Sequence, residues 1–347
     1  MPNKNITINI TTGTFFRVGF IVLLAVTLYL IRDILIVVFM SIVIASGVEP
    51  VALWFQKRKI PRVPAVIIVY LLGFFIFGSL FYLVIPTIFS EFFSFSSQVT
   101  SLFSDPSSSS FFKEITSLFP LSVSGLLQNF TEQAMGYVSG FTVGFFHTAA
   151  KIFGGAFSFI LVVIISFYLS VQEKGIENFL RIIIPIKYEN YTMDLWKRVR
   201  DKIGKWLQGQ ILLGIIVAVL IFLGLTILRV DYALTFALLA GVFELIPVFG
   251  PILSSIPPIM MGLAQDPVLA LKVLILFVIV QQFENHLIYP LVVRKIVGIP
   301  PIMTILSLII GAKLAGFPGI LLSVPVATII VEIMNDIEQR KKTVIAP

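Results

Sequence analysis

The chain is short of the residues that reactive and metal-binding sites use. Among its 347 residues there is no cysteine, and there are only two histidines, His147 and His286. The absence of cysteine excludes disulfides, thiolate metal sites and a cysteine nucleophile. Two histidines leave little for a zinc or haem site. The sequence therefore predicts neither a metal nor a cofactor.

Charge is scarce as well. Asp, Glu, Lys and Arg make up 12% of the chain and hydrophobic residues 58%, whereas a soluble domain is about 25% charged. So few charges cannot cover a water-facing surface of this size, and lipid must therefore be the solvent for much of it. The formal charge of +7 comes from short basic clusters beside apolar runs, which is typical of topology signals. We predict membrane lipid, and not nucleic acid, as a partner.

Motifs of the common enzyme classes are also missing. The sequence has no phosphate-binding loop of the G-x-x-x-x-G-K-[ST] kind and no polar segment long enough for an ATPase domain. It has no H-E-x-x-H or G-x-S-x-G motif either. The sequence therefore predicts that the protein is not an enzyme and does not drive transport with ATP by itself.

What the chain has instead is a series of long apolar runs. A helix needs roughly 20 apolar residues to cross the hydrocarbon core of a bilayer. The candidate spans are 15–31, 33–55, 63–88, 150–171, 209–229, 232–248, 251–264, 267–287, 301–316 and 318–335. The later runs are short and interrupted by Gly and Pro. The sequence predicts an all-α polytopic transmembrane protein with about eight spans, plus re-entrant or broken helices in its C-terminal third.

The predicted organisation has four regions. They are N-terminal transmembrane helices over 1–88, an extracytoplasmic amphipathic segment over 89–149, a transmembrane helix with a cytoplasmic amphipathic helix over 150–208, and a C-terminal transmembrane transport region over 209–347. Basic clusters at 57–62, 174–205, 294–295 and 340–342 fall on one side of the membrane if both termini are cytoplasmic. We predict that orientation.

The predicted cytoplasmic helix spans 188–208. Leu195, Val199, Ile203 and Leu207 recur every four residues and form an apolar stripe. Such a helix either packs on the membrane face of the protein or provides a regulatory or partner site.

One acidic residue stands out in the C-terminal third. Glu244 lies within the apolar run 233–248, and Ala237, Ala240 and Gly241 share its helical face. A charge at mid-bilayer costs about 2.5–3.5 kcal/mol, so Glu244 should face protein or water. The small residues would allow a neighbouring backbone to approach closely. The alternative is a glutamate at a helix end near the cytoplasmic interface.

A second polar group follows the wholly apolar run 273–280. Gln281, Glu284 and Asn285 share one helical face, and His286 belongs to an adjoining strip. Buried amides and carboxylates need partners, which are each other, a substrate or an ion. We predict substrate or ion binding by Glu244, Gln281, Glu284 and Asn285; a hydrogen-bonded lock between helices remains the alternative. For His286 a packing role and a proton relay both stay open.

A short repeat accompanies these polar residues. The nine residues from Phe249 to Pro257 align with those from Phe317 to Pro325, each copy having a Gly/Pro turn before a short apolar helix with Ser and then Pro. Paired interrupted helices indicate a transporter site, although short Gly/Pro matches also arise by chance. The predicted helix-break or gating residues are Pro247, Gly250, Pro251, Pro257, Pro290, Pro318, Gly319 and Pro325.

These motifs together resemble those of the AI-2E family of transporters. The resemblance rests on 243–251, on 281–285 leading to Pro290, on the Gly/Pro series of 311–325, and on a Gly47-Val48-Glu49-Pro50 turn followed by the basic stretch 57–62. It implies a multi-pass transporter of the bacterial inner membrane with cytoplasmic termini, assembled as a homo-oligomer such as a pentamer. Family members are associated with export of the quorum-sensing signal autoinducer-2, and others with sodium/proton antiport. The segment 297–301 lacks the histidine of the family's frequent Leu-His-Pro pattern, which weakens any histidine-dependent proton step.

The predicted function is therefore a secondary transporter or facilitator that exports a small polar or amphiphilic solute similar to autoinducer-2. Glu244 and Glu284 would bind a cation or proton. A sodium/proton antiporter is the alternative within this class. A channel or a non-transporting membrane scaffold is the alternative from another class.

Overall fold

The computed structural model describes residues 12–76, 155–172, 174–288 and 300–345, together with residues 78, 79, 82, 86 and 298. All regular structure in these residues is helical, which confirms the all-α class. The predicted extracytoplasmic segment 89–149, with His147, lies outside the described residues, and so does Pro290.

The helices of the described residues follow one another along the chain. They are α1 (Thr12–Leu30), α2 (Arg32–Lys57), α3 (Arg62–Ile76), α4 (Gly155–Val171), α5 (Gly175–Ile183), α6 (Ile186–Ile227), α7 (Ala233–Phe243), α8 (Phe249–Gln265), α9 (Pro267–Phe283) with a π-helical end over Glu284–Ile288, and α10 (Pro301–Ile345).

By length and composition, four helices in the described part could cross a membrane: α2, α6, α9 with its π-helical end, and α10, which Gly316 divides into two arms. The helices α4 and α5 form a bent pair with an angle of 89°, which brings the count to at most five. The chain is thus polytopic, but the predicted number of about eight spans is not confirmed. The predicted spans 232–248 and 251–264 correspond to α7 and α8, and α7 with its 11 residues rises only about 16 Å.

The predicted cytoplasmic helix and the span after it are one continuous helix. The 42 residues of α6 would extend about 63 Å, twice the hydrocarbon thickness of about 30 Å, so the predicted boundary at 208/209 falls inside α6. Val199 and Ile203 of the apolar stripe are buried against Val43 of α2 and Leu322 of α10. The stripe therefore packs on protein.

The predicted turn at Gly47 to Pro50 is wrong, since these residues continue α2 as helix. Pro50 has no N–H for the carbonyl of Ser46, and α6 approaches at that carbonyl: a Cβ on Gly204 would lie 2.4 Å from the Ser46 oxygen. Pro50 thus marks a close helix crossing. At this crossing the two carboxylate oxygens of Glu49 accept hydrogen bonds from Arg62, Oε2 from Nη2 at 2.7 Å and Oε1 from Nη1 at 3.1 Å.

The two repeat copies follow matching turns. Val248 (φ 72°) comes directly before Phe249, and Gly316 (φ 59°, ψ −136°) directly before Phe317. A Cβ on Gly311 would lie 2.3 Å from the Gly319 oxygen, although eight residues of straight helix span about 12 Å. The arms 301–315 and 317–345 of α10 therefore fold back on each other. The chain is interrupted at these turns and not at Pro257 or Pro325, which lie inside helices.

Ion pairs attach the second arm of α10 to α6. Arg198 donates to Glu332 at 3.0 Å and to both oxygens of Asp336 at 2.9 and 2.7 Å, and Lys202 also pairs with Glu332. Glu332 and Asp336 are buried. We refer to these four residues as the α6–α10 ion-pair cluster.

Candidate transport site

Glu244 lies directly after α7, where the helix ends and the turn to α8 begins. Its side chain is buried, with 1% of its surface exposed. The small residues predicted to share its face do contact a neighbour, because a Cβ on Gly241 would lie 2.8 Å from the Gly214 oxygen of α6. Glu244 is thus at a helix end, as one alternative predicted, yet it is enclosed by protein.

Glu284 reaches the same place from α9. It begins the π-helical end of that helix and is 5% exposed. Its carboxyl group lies within hydrogen-bonding range of the Glu244 carboxyl group. The fold therefore brings together two predicted site residues that are 40 positions apart. Single π-helical turns recur at functional sites, where they reorient a side chain.

The other predicted site residues have different surroundings. Gln281 supports Glu284, since its Nε2 donates to Glu284 Oε2 at 3.0 Å, and it also approaches Asn285 Oδ1 at 3.4 Å. Asn285 is exposed, so it lies outside the buried pair. His286 is exposed too, and its Nδ1 lies 3.0 Å from the carbonyl of Gln282 in the preceding turn.

The predicted gating residues lie in two places, the turn between α7 and α8 and the α10 hairpin. Pro247 and Gly250 are buried beside Glu244, and a Cβ on Gly250 would lie 2.0 Å from the Phe243 oxygen. Pro318 and Gly319 belong to the α10 hairpin, whose main contacts are with α2 and α6. The carboxyl pair thus lies beside the turn between α7 and α8.

Sequence reasoning missed Gln210 of α6. Its side chain is 1% exposed, and its Nε2 donates to the backbone carbonyl of Glu244. Gln210 shares a helical face with Leu213, Gly214 and Val217, all of them buried. The sequence did contain a sign of this role, because Gln210 places a polar amide at the start of the apolar run 209–229, on the face of the helix that packs against protein.

Two buried oxygen atoms at this site have no hydrogen-bond donor within the described part of the chain. They are Glu244 Oε2 and Gln210 Oε1. Neither carboxyl group forms an ion pair with a described basic side chain. Among the same residues there is no cluster of three or more His, Cys, Asp or Glu side chains that would suggest a metal centre.

The comparison with known proteins adds the family. The model of the AI-2E family transporter matches residues 18–339. The chain belongs to the AI-2E transporter family.

Curated relatives carry transport names. The "Putative transport protein YueF" of Bacillus subtilis is 27% identical over 285 residues, which cover 79% of this chain and 76% of the relative. The "Putative transport protein YrrI" of the same organism is 25% identical over 325 residues, with coverage of 88% and 86%. The "Putative permease PerM" of Escherichia coli is 26% identical over 178 residues, about half of each chain (51% and 50%). Family and relatives together support a membrane transporter or permease.

The geometry gives this AI-2E family member a chemically specific centre. Two carboxyl groups that touch in a poorly solvated interior repel each other when both are ionised. A proton or a cation between them would relieve that repulsion. Gln281 donates to the Glu284 carboxyl group, and Gln210 donates to the backbone carbonyl of Glu244.

Proposed function

We propose that this protein is a secondary transporter or facilitator of the bacterial plasma membrane, with both termini cytoplasmic. It would export a small polar or amphiphilic solute similar to autoinducer-2. The Glu244–Glu284 pair would bind a proton or cation during the cycle. The observation that carries the proposal is the contact between these two buried carboxyl groups, which come from α7 and α9.

The physical argument rests on the cost of buried charge. A lone carboxylate at membrane depth is expensive, and intramembrane acidic residues accordingly mark ion or substrate pathways. Here two such groups share one enclosed place beside a helix break, where α7 ends and Val248, with a φ of 72°, precedes α8. Binding of a positive species would change the charge of that place and so would favour one conformation of the turn between α7 and α8 over another.

The test is solute flux in proteoliposomes with Glu244→Gln and Glu284→Gln. Either variant should lower flux by about tenfold or more, because losing an interaction worth about 1.4 kcal/mol changes affinity tenfold. Glu338→Gln serves as the control, since that carboxylate is exposed near the end of α10. Insertion into the membrane should be unchanged in all three. Wild-type flux in both site variants would refute the proposal.

A sodium/proton antiporter is the second candidate. It is favoured by the lack of a described basic partner for either carboxyl group, which leaves the pair free for exchange between a proton and a metal ion. A pH-gradient dye assay with added sodium separates the two functions, since a solute exporter need not respond to sodium.

A single-channel current would instead indicate a channel, and the absence of any flux would indicate a non-transporting scaffold. The homo-oligomer, such as a pentamer, is part of the proposal and is tested by the mass of the purified complex.

A further inference from the structure

The short helix α5 turns its hydrophobic side away from the rest of the protein. Ile182 is 84% exposed, and Phe179 and Ile183 are exposed beside it on the same side of the helix. We refer to these three residues as the α5 apolar face. Contiguous exposed hydrophobic side chains of this size mark a surface that contacts a membrane or another protein.

The acidic residue of α5 points in the opposite direction. The side chain of Glu177 is 13% exposed, and its carboxylate lies 4.0 Å from the guanidinium of Arg200 in α6. Arg200 also pairs with Glu49 of α2 at 2.8 Å. The helix thus contacts the protein through a charged residue and faces outwards with hydrophobic ones. A helix on the surface of a water-soluble protein has the reverse arrangement, so the medium outside α5 should be lipid.

The level of α5 in the membrane follows from its neighbours. Arg62 Nε donates to the carbonyls of Ser170 and Val171 at 2.9 and 3.2 Å, so the end of α4 lies beside the start of α3. Four residues before Arg62, the guanidinium of Arg58 lies 3.8 Å from the ring centroid of the exposed Trp54. Tryptophan and basic residues together are typical of the boundary between bilayer and water. Because α5 bends away from the apolar helix α4 by 89°, it runs along that boundary.

The exposed polar edge of α5 is basic. Lys174 directly precedes the helix, and Asn178 and Arg181 follow it along the same edge, all three of them exposed. Arg181 approaches Glu189 at 3.7 Å, a distance at which an exposed pair contributes little. Lys174 has no acidic partner among the residues that the structure describes. An apolar face with a basic edge is the arrangement by which interfacial helices bind anionic lipid.

We propose that α5 is an interfacial helix that binds the anionic lipid surface of the leaflet at which α2 and α4 end. With the orientation proposed above, this is the cytoplasmic leaflet. The α5 apolar face inserts at the boundary of the acyl chains, and Lys174 and Arg181 contact lipid phosphates. Charge complementarity favours lipid over a second copy of the chain, because a bilayer supplies both an apolar layer and phosphates in the order that α5 presents.

The experiment uses the purified full-length protein in lipid nanodiscs, with one fluorescent label on an introduced cysteine. The chain has no cysteine of its own, so the label occupies a single site. Ile182→Cys places it on the α5 apolar face. Ile160→Cys, on the exposed side of α4, is the control for lipid contact. Glu338→Cys, at a carboxylate that is exposed near the end of α10, is the control for water.

Two measurements follow from these labels. In nanodiscs whose phosphatidylcholine carries bromine on its acyl chains, the label at Ile182 should be quenched as at Ile160, and the label at Glu338 should not. In unbrominated phosphatidylcholine, a small fraction of brominated phosphatidylglycerol should quench the label at Ile182 more than the same fraction of brominated phosphatidylcholine. If Ile182→Cys does not fold, Phe179→Cys places the label on the same face.

The basic edge is tested in the background of the Ile182 label. Lys174→Gln and Arg181→Gln should each weaken the preference for phosphatidylglycerol by about fivefold, since one basic residue near an anionic surface contributes about that factor. Lys205→Gln is the matched control. It also removes one positive charge from an exposed site, but its ammonium group is already paired with Asp201 at 2.7 Å. This control should keep the preference of the unsubstituted protein.

Two results would overturn the inference. Labels at Ile182 and Phe179 that brominated lipid does not quench, while the label at Ile160 is quenched, would show that protein covers this face, for example a second copy of the chain. Equal quenching by phosphatidylglycerol and phosphatidylcholine would show contact with lipid but no recognition of anionic headgroups. Neither result concerns solute flux, so the proposed function is tested separately by the Glu244→Gln and Glu284→Gln variants.

Discussion

The α6–α10 ion-pair cluster makes a quantitative prediction about how the α10 hairpin is held. Arg198 binds Asp336 with both terminal nitrogens, at 2.9 and 2.7 Å, in the manner of a bidentate pair. A double-mutant cycle with Arg198→Ala, Asp336→Ala and the double variant isolates this one interaction from everything else that each substitution removes.

The magnitude follows from exposure. The side chain of Asp336 is 9% exposed and that of Arg198 is 36% exposed. Hydrogen bonds to charged groups contribute about 1.5–3 kcal/mol, whereas exposed ion pairs contribute about 0.2–1 kcal/mol. Because the carboxylate is buried but the guanidinium is partly open to water, we expect a coupling energy of about 1.5–2 kcal/mol, at the lower end of the range for hydrogen bonds to charged groups.

The assay is reversible unfolding in mixed detergent micelles, with the free energy of unfolding measured for the four proteins of the cycle. The Lys205–Asp201 pair of the same helix is the matched control, since its side chains are 53% and 59% exposed. Its coupling energy should be about 0.3–0.5 kcal/mol. If the Arg198–Asp336 coupling is no larger than that of the control, burial of the carboxylate does not strengthen the pair and the reasoning is wrong.

Two further predictions concern glycines. Gly214→Val should lower the free energy of unfolding by about 1–3 kcal/mol, since its Cβ would lie 2.5 Å from the Gly241 oxygen. Gly73→Val, with nothing within 4 Å of the added Cβ, should change it by less than about 1 kcal/mol; equal losses would contradict the close crossing. Gly316→Ala should cost about 1–3 kcal/mol because of its positive φ of 59°. An unchanged unfolding free energy for Gly316→Ala would show that the hairpin does not need that conformation.

The sequence predicted the helical class and the membrane as solvent, because both depend on composition and on the length of apolar runs. It also singled out Glu244 and Glu284 for a local reason, since each is a charged residue beside an apolar run. The apolar stripe of α6 was predicted correctly as well, because helical periodicity is a local property.

Other predictions failed where a local pattern has two solutions. Gly47 and Pro50 are typical turn residues, but the same residues permit a close helix crossing once a partner such as Gly204 is present. Pro257 was expected to break a helix, yet the interruption is at Val248, whose identity gives no sign of a positive φ. The span count was uncertain for a related reason, because apolar length does not distinguish a crossing from one arm of a hairpin.

The amino-acid sequence by itself determined that a lipid bilayer surrounds much of this protein, that its regular structure is helical, and that the carboxyl groups of Glu244 and Glu284 should not face lipid. Only the tertiary structure decided that Glu244 meets Glu284 and that Gln210 donates to the backbone of Glu244. Those contacts depend on α6 and α7 crossing at Gly214 and Gly241, where missing side chains let two backbones touch. Such a crossing joins residues far apart along the chain, and no periodicity within one helix specifies it.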